Sequence, residues 1–259
     1  MRLTFVGTGA ADWDWMAFPP GTRGSTATLV NGACLIDAGP TVIDGLARCG
    51  ADAAQIADVV ITHSHGDHFH PETLAALAAA RGGRLTVWAS PEALAALEGV
   101  PCERQELRPG LRFACGDLAF RALPSNHATP NADEETFHYF IEGSGATLLY
   151  ALDGAWMRTR ARTLLADALG GRVLDAVVWD ATCGGTLHDW RFAEHNDLAM
   201  VDALRAALRG AGLVSEETVH VFDHVARTLW PATPEERAAL AASYGGLLAE
   251  DGLTLDIGG

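Results

Sequence analysis

The segment His-Ser-His-Gly-Asp-His at residues 63–68 follows directly after the apolar, strand-like run Val59–Thr62. Imidazole nitrogens and carboxylate oxygens are good ligands for zinc, manganese and iron. A turn at a strand end can aim the first two histidines at one ion and the Asp-His pair at a second, with Gly66 permitting the tight bend. The pattern therefore predicts a metal site, and the alternative is a solvated, histidine-rich loop.

Three further residues, His127, Asp153 and His224, stand immediately after other apolar strand-like runs. Four ligands from one segment cannot fill two coordination spheres, so a site for two ions needs such residues. A lone His or Asp at a strand end is more often a cap or a surface group, and it is the shared placement that favours a common site. Asp37 and Asp223 are candidates to orient the histidines through hydrogen bonds.

The order of strand-like and helix-like runs indicates the fold class. A block of strands, a few helices, a second block of strands and more helices fit two sheets packed face to face with helices outside. No linker or repeat interrupts the chain, so we expect a single domain over residues 1–259. The strand-like runs are Leu3–Val6, Thr26–Val30, Cys34–Asp37, Val59–Thr62, Leu85–Ala89, Leu118–Leu123, Thr136–Ile141, Thr147–Ala151, Ala176–Trp179, Val219–Phe222 and Leu253–Ile257. The helix-like runs are Thr73–Arg81, Ala93–Glu98, Arg158–Leu169, Asp197–Arg209 with Asn196 as cap, and Pro234–Glu250 with Thr233 as cap.

Charge and hydropathy exclude several classes of protein. With 33 acidic and 18 basic residues, the formal net charge is −15, which disfavours bulk nucleic-acid binding and leaves a small molecule as the expected partner. No apolar run approaches the roughly 18–20 residues of a membrane span, and the N-terminal run is too short for a signal-peptide core, so we expect a cytoplasmic protein without a membrane partner. The five cysteines are scattered without a C-x-x-C pair, which argues against a disulfide framework or a cysteine zinc site.

The chain resembles the metallo-β-lactamase-fold hydrolases. Their H-x-H-x-D-H signature corresponds to residues 63–68, and Val6–Gly9 and Leu35–Gly39 also look like this family. The resemblance spans Leu3 to about His224 and implies an α/β fold, a four-layer αβ/βα sandwich with a dinuclear site at one edge. It also implies that His63, His65 and His127 hold one ion, that Asp67, His68 and His224 hold the other, and that Asp153 bridges them.

Within the superfamily the chain resembles the phosphodiesterase branch, which includes phosphoribosyl cyclic phosphate phosphodiesterases and, more distantly, the tRNA-processing RNase Z. In that branch a histidine in an H-x-D-L segment acts near the leaving group, which implies this role for His195. The chain lacks the cysteine cluster of the former enzymes and the tRNA-grasping arm of the latter, so the substrate stays open. The resemblance rests on Leu123–His127, Asp180–Gly184, Glu194–Leu198 and Val221–His224.

The expected function is a metal-dependent hydrolase, a phosphodiesterase that cleaves a small or cyclic phosphate ester with a hydroxide activated by two divalent ions. Zinc, manganese and iron all suit the ligands. Asp67 and His195 are the expected catalytic residues, and a surface position beside a helix start is the alternative for His195. The alternative function is hydrolysis of a lactone, thioester or other C–O or C–N bond on the same fold. A binding protein without turnover is disfavoured because all the expected ligands are present.

Two residues are candidate substrate contacts. Arg23 is placed to bind an anionic group, unless it is a solvated loop arginine, and His188 lies in a loop expected beside the pocket. The apolar loop with Trp13 and Trp15 is expected to be a lid over the site or a dimer contact, if it does not simply fold onto the body. A homodimer is expected by analogy with the family alone. Apolar walls for a substrate are expected from two further tryptophans, Trp190 and Trp230.

Overall fold

The computed structural model describes residues 1–16, 21–187 and 189–258, which form two seven-stranded sheets. The first sheet contains β1 (Arg2–Gly7), β2 (Ala27–Val30), β3 (Cys34–Ile36), β4 (Asp58–Val60), β5 (Leu85–Ala89), β6 (Cys102–Glu106) and β14 (Thr254–Asp256). Strands β1 to β3 are antiparallel, and β3 to β6 run parallel. The last strand, β14, pairs antiparallel with β1, so the end of the chain completes the sheet of the first half.

The second sheet repeats this plan with the second half of the chain. It contains β7 (Arg112–Cys115), β8 (Leu118–Pro124), β9 (Phe137–Gly143), β10 (Ala146–Ala151), β11 (Ala176–Asp180), β12 (Val219–Asp223) and β13 (Leu247–Leu248). Strands β7 to β10 are antiparallel, and β10 to β13 run parallel. Trp179 pairs with Ala151 on one side and with Phe222 on the other, so the carboxyl ends of the three central strands lie side by side.

Helices connect the parallel strands. Within the described residues they are α1 (Val42–Arg48), α2 (Pro71–Ala80), α3 (Pro91–Ala95), α4 (Thr159–Leu169), α5 (Leu198–Gly210) and α6 (Pro234–Ser243), with 3₁₀ turns at Ala53–Gln55 and Trp190–Ala193. None of the described helices combines the length and apolarity needed to span a bilayer.

Two predicted helix ends need correction. The cap of α5 is Asp197, whose carboxylate accepts the backbone N–H of Met200 at 2.8 Å, and not Asn196. The Thr233 cap of α6 is confirmed and forms a capping box with Glu236. This helix ends at Ser243 and not near Glu250, because the chain leaves the helix through Gly245 at a φ of +66° and enters β13.

The sheets pack face to face, and the six helices of the described chain cover their outer faces. Phe5 and Ile36 of the first sheet share the inner core with Phe120 and Tyr139 of the second. Leu46, Leu74 and Leu94, one from each of α1 to α3, pack on the first sheet, while α4 to α6 pack on the second. The structure thus confirms the four-layer αβ/βα sandwich, in which burial of both faces of each sheet drives association of the layers.

The strands that sequence analysis missed lie at or next to sheet edges. β6, with the sequence Cys-Glu-Arg-Gln-Glu, has charged side chains and no buried residue, so it carries no apolar alternation. β7 and the two-residue β13 occupy the edges of the second sheet. Such strands are recruited by pairing with a buried neighbour, and their own composition does not specify them.

Candidate metal centre

The ligand candidates lie where co-directional strands end at one edge of the sandwich. His63 follows β4, Asp153 follows β10, and His224 directly follows β12. β8 is antiparallel to β9, which is antiparallel to β10, so β8 runs in the direction of β10 and brings His127 to the same edge. Residues as far apart in sequence as His68 and His224 therefore meet, with their Nε2 atoms 3.1 Å apart.

The first group of clustered side chains is His63, His65, His127 and Asp153. Nδ1 of His65 lies 3.0 Å from Nε2 of His63 and 3.0 Å from Nε2 of His127. Oδ2 of Asp153 lies 3.4 Å from Nε2 of His63 and 3.6 Å from Nε2 of His127. Three imidazoles and one carboxylate thus point into a common space, the donor set of a tetrahedral zinc or a comparable ion.

The second group is Asp67, His68, Asp153 and His224, all of them buried. Oδ2 of Asp67 lies 3.3 Å from Nε2 of His224 and 3.5 Å from Nε2 of His68. The other two contacts are made by Asp153, whose Oδ2 lies 3.3 Å from Nε2 of His68 and whose Oδ1 lies 3.1 Å from Nδ1 of His224. Asp153 therefore belongs to both groups, and all seven side chains of the two sets converge.

The residues fit divalent cations on the chemistry of their donors. Oδ1 of Asp153 is buried and accepts no hydrogen bond from any described residue. Burial, reinforced by the charge of His68, lowers the pKa of His63 well below its usual value, which leaves a neutral imidazole with a free lone pair. Burial disfavours the charged form of Asp153, but His224 and His68 outweigh it and hold the pKa of this carboxyl well below its usual value. A neutral His63 and an ionised Asp153 are the protonation states that metal binding requires, whereas nearby carboxylates raise the pKa values of His68 and His224, which would give up their protons to a bound cation.

Hydrogen bonds behind the ligands orient the histidines, as the rings of His68 and His224 show. Asp37 accepts from Nδ1 of His68 at 2.8 Å and also from the backbone N–H and hydroxyl of Thr62. The Thr182 hydroxyl lies 2.7 Å from Nδ1 of His224. The prediction that Asp37 orients a histidine therefore agrees with its hydrogen bond to the His68 ring. The same prediction for Asp223 is wrong, because its carboxylate accepts the backbone N–H of His224 and not a ring N–H.

His195 lies beside both groups. Its Nδ1 is 2.8 Å from Oδ2 of Asp180, and its ring centroid lies 5.0 Å from that of His127 and 5.5 Å from that of His224. Burial disfavours the charged form of His195, but the carboxylates of Asp180 and Asp153 outweigh it and raise the pKa of His195 to about 9. His195 does precede the start of α5, but the alternative of a surface position is wrong, since its side chain is mostly buried and lines the same cavity as the clustered ligands.

A cavity of about 660 Å³ opens onto the two groups. Its floor includes His65, Asp67, His127, Asp153 and His224, which sets the clustered side chains within reach of a small molecule. The remaining lining residues are Ala10, Ala11, Asp12, Trp15, Gly66, Thr182, Trp190, Arg191, Ala193, Glu194, His195 and Ala226.

Sequence comparison decides the family. Residues 33–212, more than half of the chain, match the family model of the beta-lactamase superfamily domain. The chain belongs to this family. Membership of the metallo-β-lactamase-fold hydrolase superfamily, together with the clustered His and Asp side chains, makes it a metal-dependent hydrolase with a divalent-metal site.

Individual relatives agree with this assignment. A stretch of 72 residues is 40% identical to the zinc phosphodiesterase ELAC protein 1 of Homo sapiens, and it covers 27% of this chain and 18% of that protein. Zn²⁺-bound PqqB from Methylobacterium extorquens superposes with a TM-score of 0.72 at 20% identity, over 99% of this chain and 100% of that one. A diphosphatase of the PhnP family superposes with a TM-score of 0.67 at 20% identity, over 98% and 97% of the two chains. The two structural likenesses establish the shared fold.

Arg23 is not among the described residues that line the cavity, which corrects its expected contact with substrate. Only 3% of Arg23 is exposed. Nη1 donates to the Thr8 hydroxyl and to the Ala249 carbonyl, both at 2.6 Å, and Nη2 pairs with the Glu250 carboxylate. Arg23 therefore ties the loop after β1 to the segment after β13. His188, the other predicted substrate contact, lies outside the described residues.

The tryptophans divide between the cavity and the body of the protein. Trp15 and Trp190 line the cavity, whereas Trp230 is buried and donates from Nε1 to the Ala181 carbonyl, so its expected role as a substrate wall is wrong. Trp13 donates to the Val225 carbonyl at 2.7 Å, which holds its loop against the body. The loop therefore borders the site through Trp15, and the dimer contact stays a prediction.

Backbone conformation is strained at three site residues. Asp37, Asp153 and His224 have φ values of +65°, +49° and +60°, in the left-handed region that costs about 1–2 kcal/mol for residues other than glycine. No sequence signal marks these positions. Gly66 lies in the turn that it was expected to permit, but the turn does not depend on glycine, because φ of residue 66 is not positive and a Cβ there would meet nothing within 4 Å.

Proposed function

We propose that this protein is a phosphodiesterase that acts on a small or cyclic phosphate ester with two divalent ions. The observation that carries the proposal is the position of Asp153 between the two groups of ligands, since its Oδ2 lies 3.4 Å from Nε2 of His63 in one group and 3.3 Å from Nε2 of His68 in the other. A carboxylate shared in this way suits two ions a few ångströms apart, an arrangement used to clamp phosphoryl oxygens in an in-line displacement. The name of the human relative, a zinc phosphodiesterase with a segment 40% identical to this chain, supports the same reaction class.

The residues divide into ligands for each ion. His63, His65 and His127 would hold one ion, Asp67, His68 and His224 the other, and Asp153 both. Divalent ions bound there supply Lewis acidity and lower the pKa of a water toward neutrality. Zinc suits three imidazoles and a carboxylate, and manganese and iron suit the same donors. Asp37 fixes the ring of His68 through Nδ1, so that Nε2 is the nitrogen presented to the cavity side.

His195 completes the chemistry at the leaving oxygen. Its Nδ1 is engaged by Asp180, which leaves Nε2 as the nitrogen that can donate a proton. Asp180 stabilises the imidazolium and sets the orientation of the ring. A leaving alkoxide needs such a proton, and His195 lines the cavity beside the two groups.

The proposed substrate is a small ester and not a nucleic-acid polymer. The net charge of −15 repels the many phosphates of a nucleic acid, which lie along a large part of the protein surface. A small diester carries one negative charge and interacts mainly with the residues of the cavity. The cavity's many apolar lining residues would also accept a neutral lactone or thioester, which keeps hydrolysis of those esters as the second candidate.

The experiment loads the metal-free protein with zinc, manganese or iron(II) in turn and measures turnover of four substrates. These are bis-p-nitrophenyl phosphate, a ribose cyclic phosphate, a homoserine lactone and a thioester. We expect hydrolysis of the diesters with at least one metal and slower hydrolysis of the other two. Turnover of the lactone or thioester without any diester hydrolysis would establish the second candidate in place of the first.

A further inference from the structure

Two tryptophans from opposite halves of the chain line the cavity. Trp15 lies in the loop after β1, and its Nε1 donates to the Arg23 carbonyl at 2.8 Å, which fixes the indole against the body. Trp190 begins the 3₁₀ turn Trp190–Ala193, whose cap Asp189 accepts the N–H of Arg191 at 2.9 Å. The Trp15 indole is therefore held by a hydrogen bond of its own, whereas at Trp190 the hydrogen bond holds the backbone of the turn that carries the indole.

The exposure of Trp190 is unusual for so large an apolar side chain. It is 77% exposed although it lines the cavity. A tryptophan left in water next to a functional site indicates a contact that forms when a ligand binds. The Arg191 guanidinium lies 5.3 Å from the centre of the Trp190 ring and pairs with Asp189, so its charge already has partners.

The rest of the wall offers few cationic side chains to a substrate with a second negative charge. Ala10, Ala11, Ala193 and Ala226 contribute small apolar side chains, and Arg191 is the single arginine or lysine among the described lining residues. A volume of about 660 Å³ matches cavities that enclose ligands of drug-like size, and a phosphodiester group alone fills only part of it. Besides these alanines and the two indoles, the wall carries the carboxylates of Asp12 and Glu194, so the unfilled part suits a flat, uncharged group better than a second anion.

We propose that the preferred substrate carries a planar aromatic group on the alcohol that is not the leaving group, and that Trp15 and Trp190 bind this group. The inference rests on the proposed phosphodiesterase function and names its substrate class. Aromatic pairs gain energy beyond the area that they bury, so the two indoles favour an aryl ester over an alkyl ester of the same charge.

A binding experiment tests the aromatic site without catalysis. Phosphinates mimic the single charge of a diester and cannot be hydrolysed, so isothermal titration compares dimethylphosphinate with methyl(naphthylmethyl)phosphinate on the zinc-loaded protein. We expect the naphthyl compound to bind at least about tenfold more tightly. The variants Trp15→Ala and Trp190→Ala should each reduce this ratio, and the double variant should abolish it, while dimethylphosphinate binds all four proteins equally.

Trp156→Ala is the matched control. Trp156 is 46% exposed and lines a neighbouring cavity of about 470 Å³ with Leu187 and Phe192, not the cavity of the metal centre. This variant should keep the full preference for the naphthyl compound. A loss of preference in Trp156→Ala with none in Trp190→Ala would overturn the assignment to Trp15 and Trp190.

Kinetics separate this inference from the proposed function. The substrates are methyl p-nitrophenyl phosphate and phenyl p-nitrophenyl phosphate, which share a leaving group and differ in the other alcohol. We expect a kcat/KM about tenfold higher for the phenyl ester, and loss of this ratio in Trp190→Ala. Equal kcat/KM values together with equal phosphinate binding would overturn the inference and leave the phosphodiesterase standing. Absence of diester hydrolysis with retained naphthyl preference would remove the proposed function and leave the aromatic site.

Discussion

Nδ1 of His195 lies 2.8 Å from Oδ2 of Asp180, and the Thr182 hydroxyl donates to the other oxygen of the same carboxylate at 2.9 Å. The same hydroxyl lies 2.7 Å from Nδ1 of His224. One buried carboxylate and one hydroxyl thus link the histidine proposed to act at the leaving oxygen to a ligand of the candidate metal centre. Because His195 reaches this ligand only through Asp180 and Thr182, we expect its substitution to lower turnover and the substitution of a ligand to remove metal.

Replacing His195 by Ala should lower turnover without removing metal. Loss of a positioned proton donor typically costs about 10²–10⁴-fold in rate. The metal content, measured by plasma mass spectrometry, should equal that of the wild type because neither group of metal ligands proposed above needs His195. A leaving group with a low pKa, such as p-nitrophenolate, should suffer the smaller loss. Equal losses for good and poor leaving groups, or a loss of metal, would contradict the role of His195.

Asp153→Asn should disturb both metal positions. The carboxylate is the member that the two groups share, and an amide is a much weaker ligand. We expect the metal content to fall from about two ions per chain to one or fewer, whereas His65→Ala should leave one ion in the second group. His70→Ala is the control, because His70 contacts Glu72 and belongs to neither group. A count of one ion in the wild type would contradict the dinuclear proposal.

Gly39→Ala should weaken metal binding although Gly39 has no side chain to contribute. A Cβ at this position would lie 2.2 Å from the backbone oxygen of Asp67 and 2.6 Å from the Ser25 hydroxyl, so the ligand loop must move. Overpacking of this kind costs roughly 1–3 kcal/mol of stability. Gly66→Ala is the matched control, because Gly66 lies within the ligand loop of residues 63–68 and its Cβ would meet no atom within 4 Å. This variant should keep wild-type metal affinity and melting temperature.

The sequence predicted the clustered side chains because each stands directly after an apolar strand-like run. The same signal was present at Asp180, which ends β11, yet its bond to His195 depends on how the loop between them folds back. Arg23 was misassigned for a related reason. Its partners Thr8 and Glu250 come from distant parts of the chain, and burial by such partners cannot be predicted from the local segment.

His220 should make the protein less stable in mild acid. Its Nδ1 accepts the Nε1 proton of the buried Trp179 at 3.1 Å, and burial, assisted by the charges of Arg205 and Arg209, lowers the pKa of His220 to about 4. Between this value and the unfolded pKa near 6.5, the unfolded chain takes up a proton that the folded chain refuses. The contribution of neutral His220 is therefore complete above pH 6.5 and is lost as the pH falls toward 4.

The variant His220→Gln isolates this effect, because the amide oxygen can still accept the Trp179 proton while the side chain no longer titrates. Urea unfolding at pH 7 and pH 5 should show the wild type losing roughly 1 kcal/mol more than the variant. The loss is smaller than the full pKa shift implies because Arg209 is exposed and its charge is screened. An equal loss in both proteins would show that His220 has the same pKa in the folded and the unfolded chain, which would contradict this prediction.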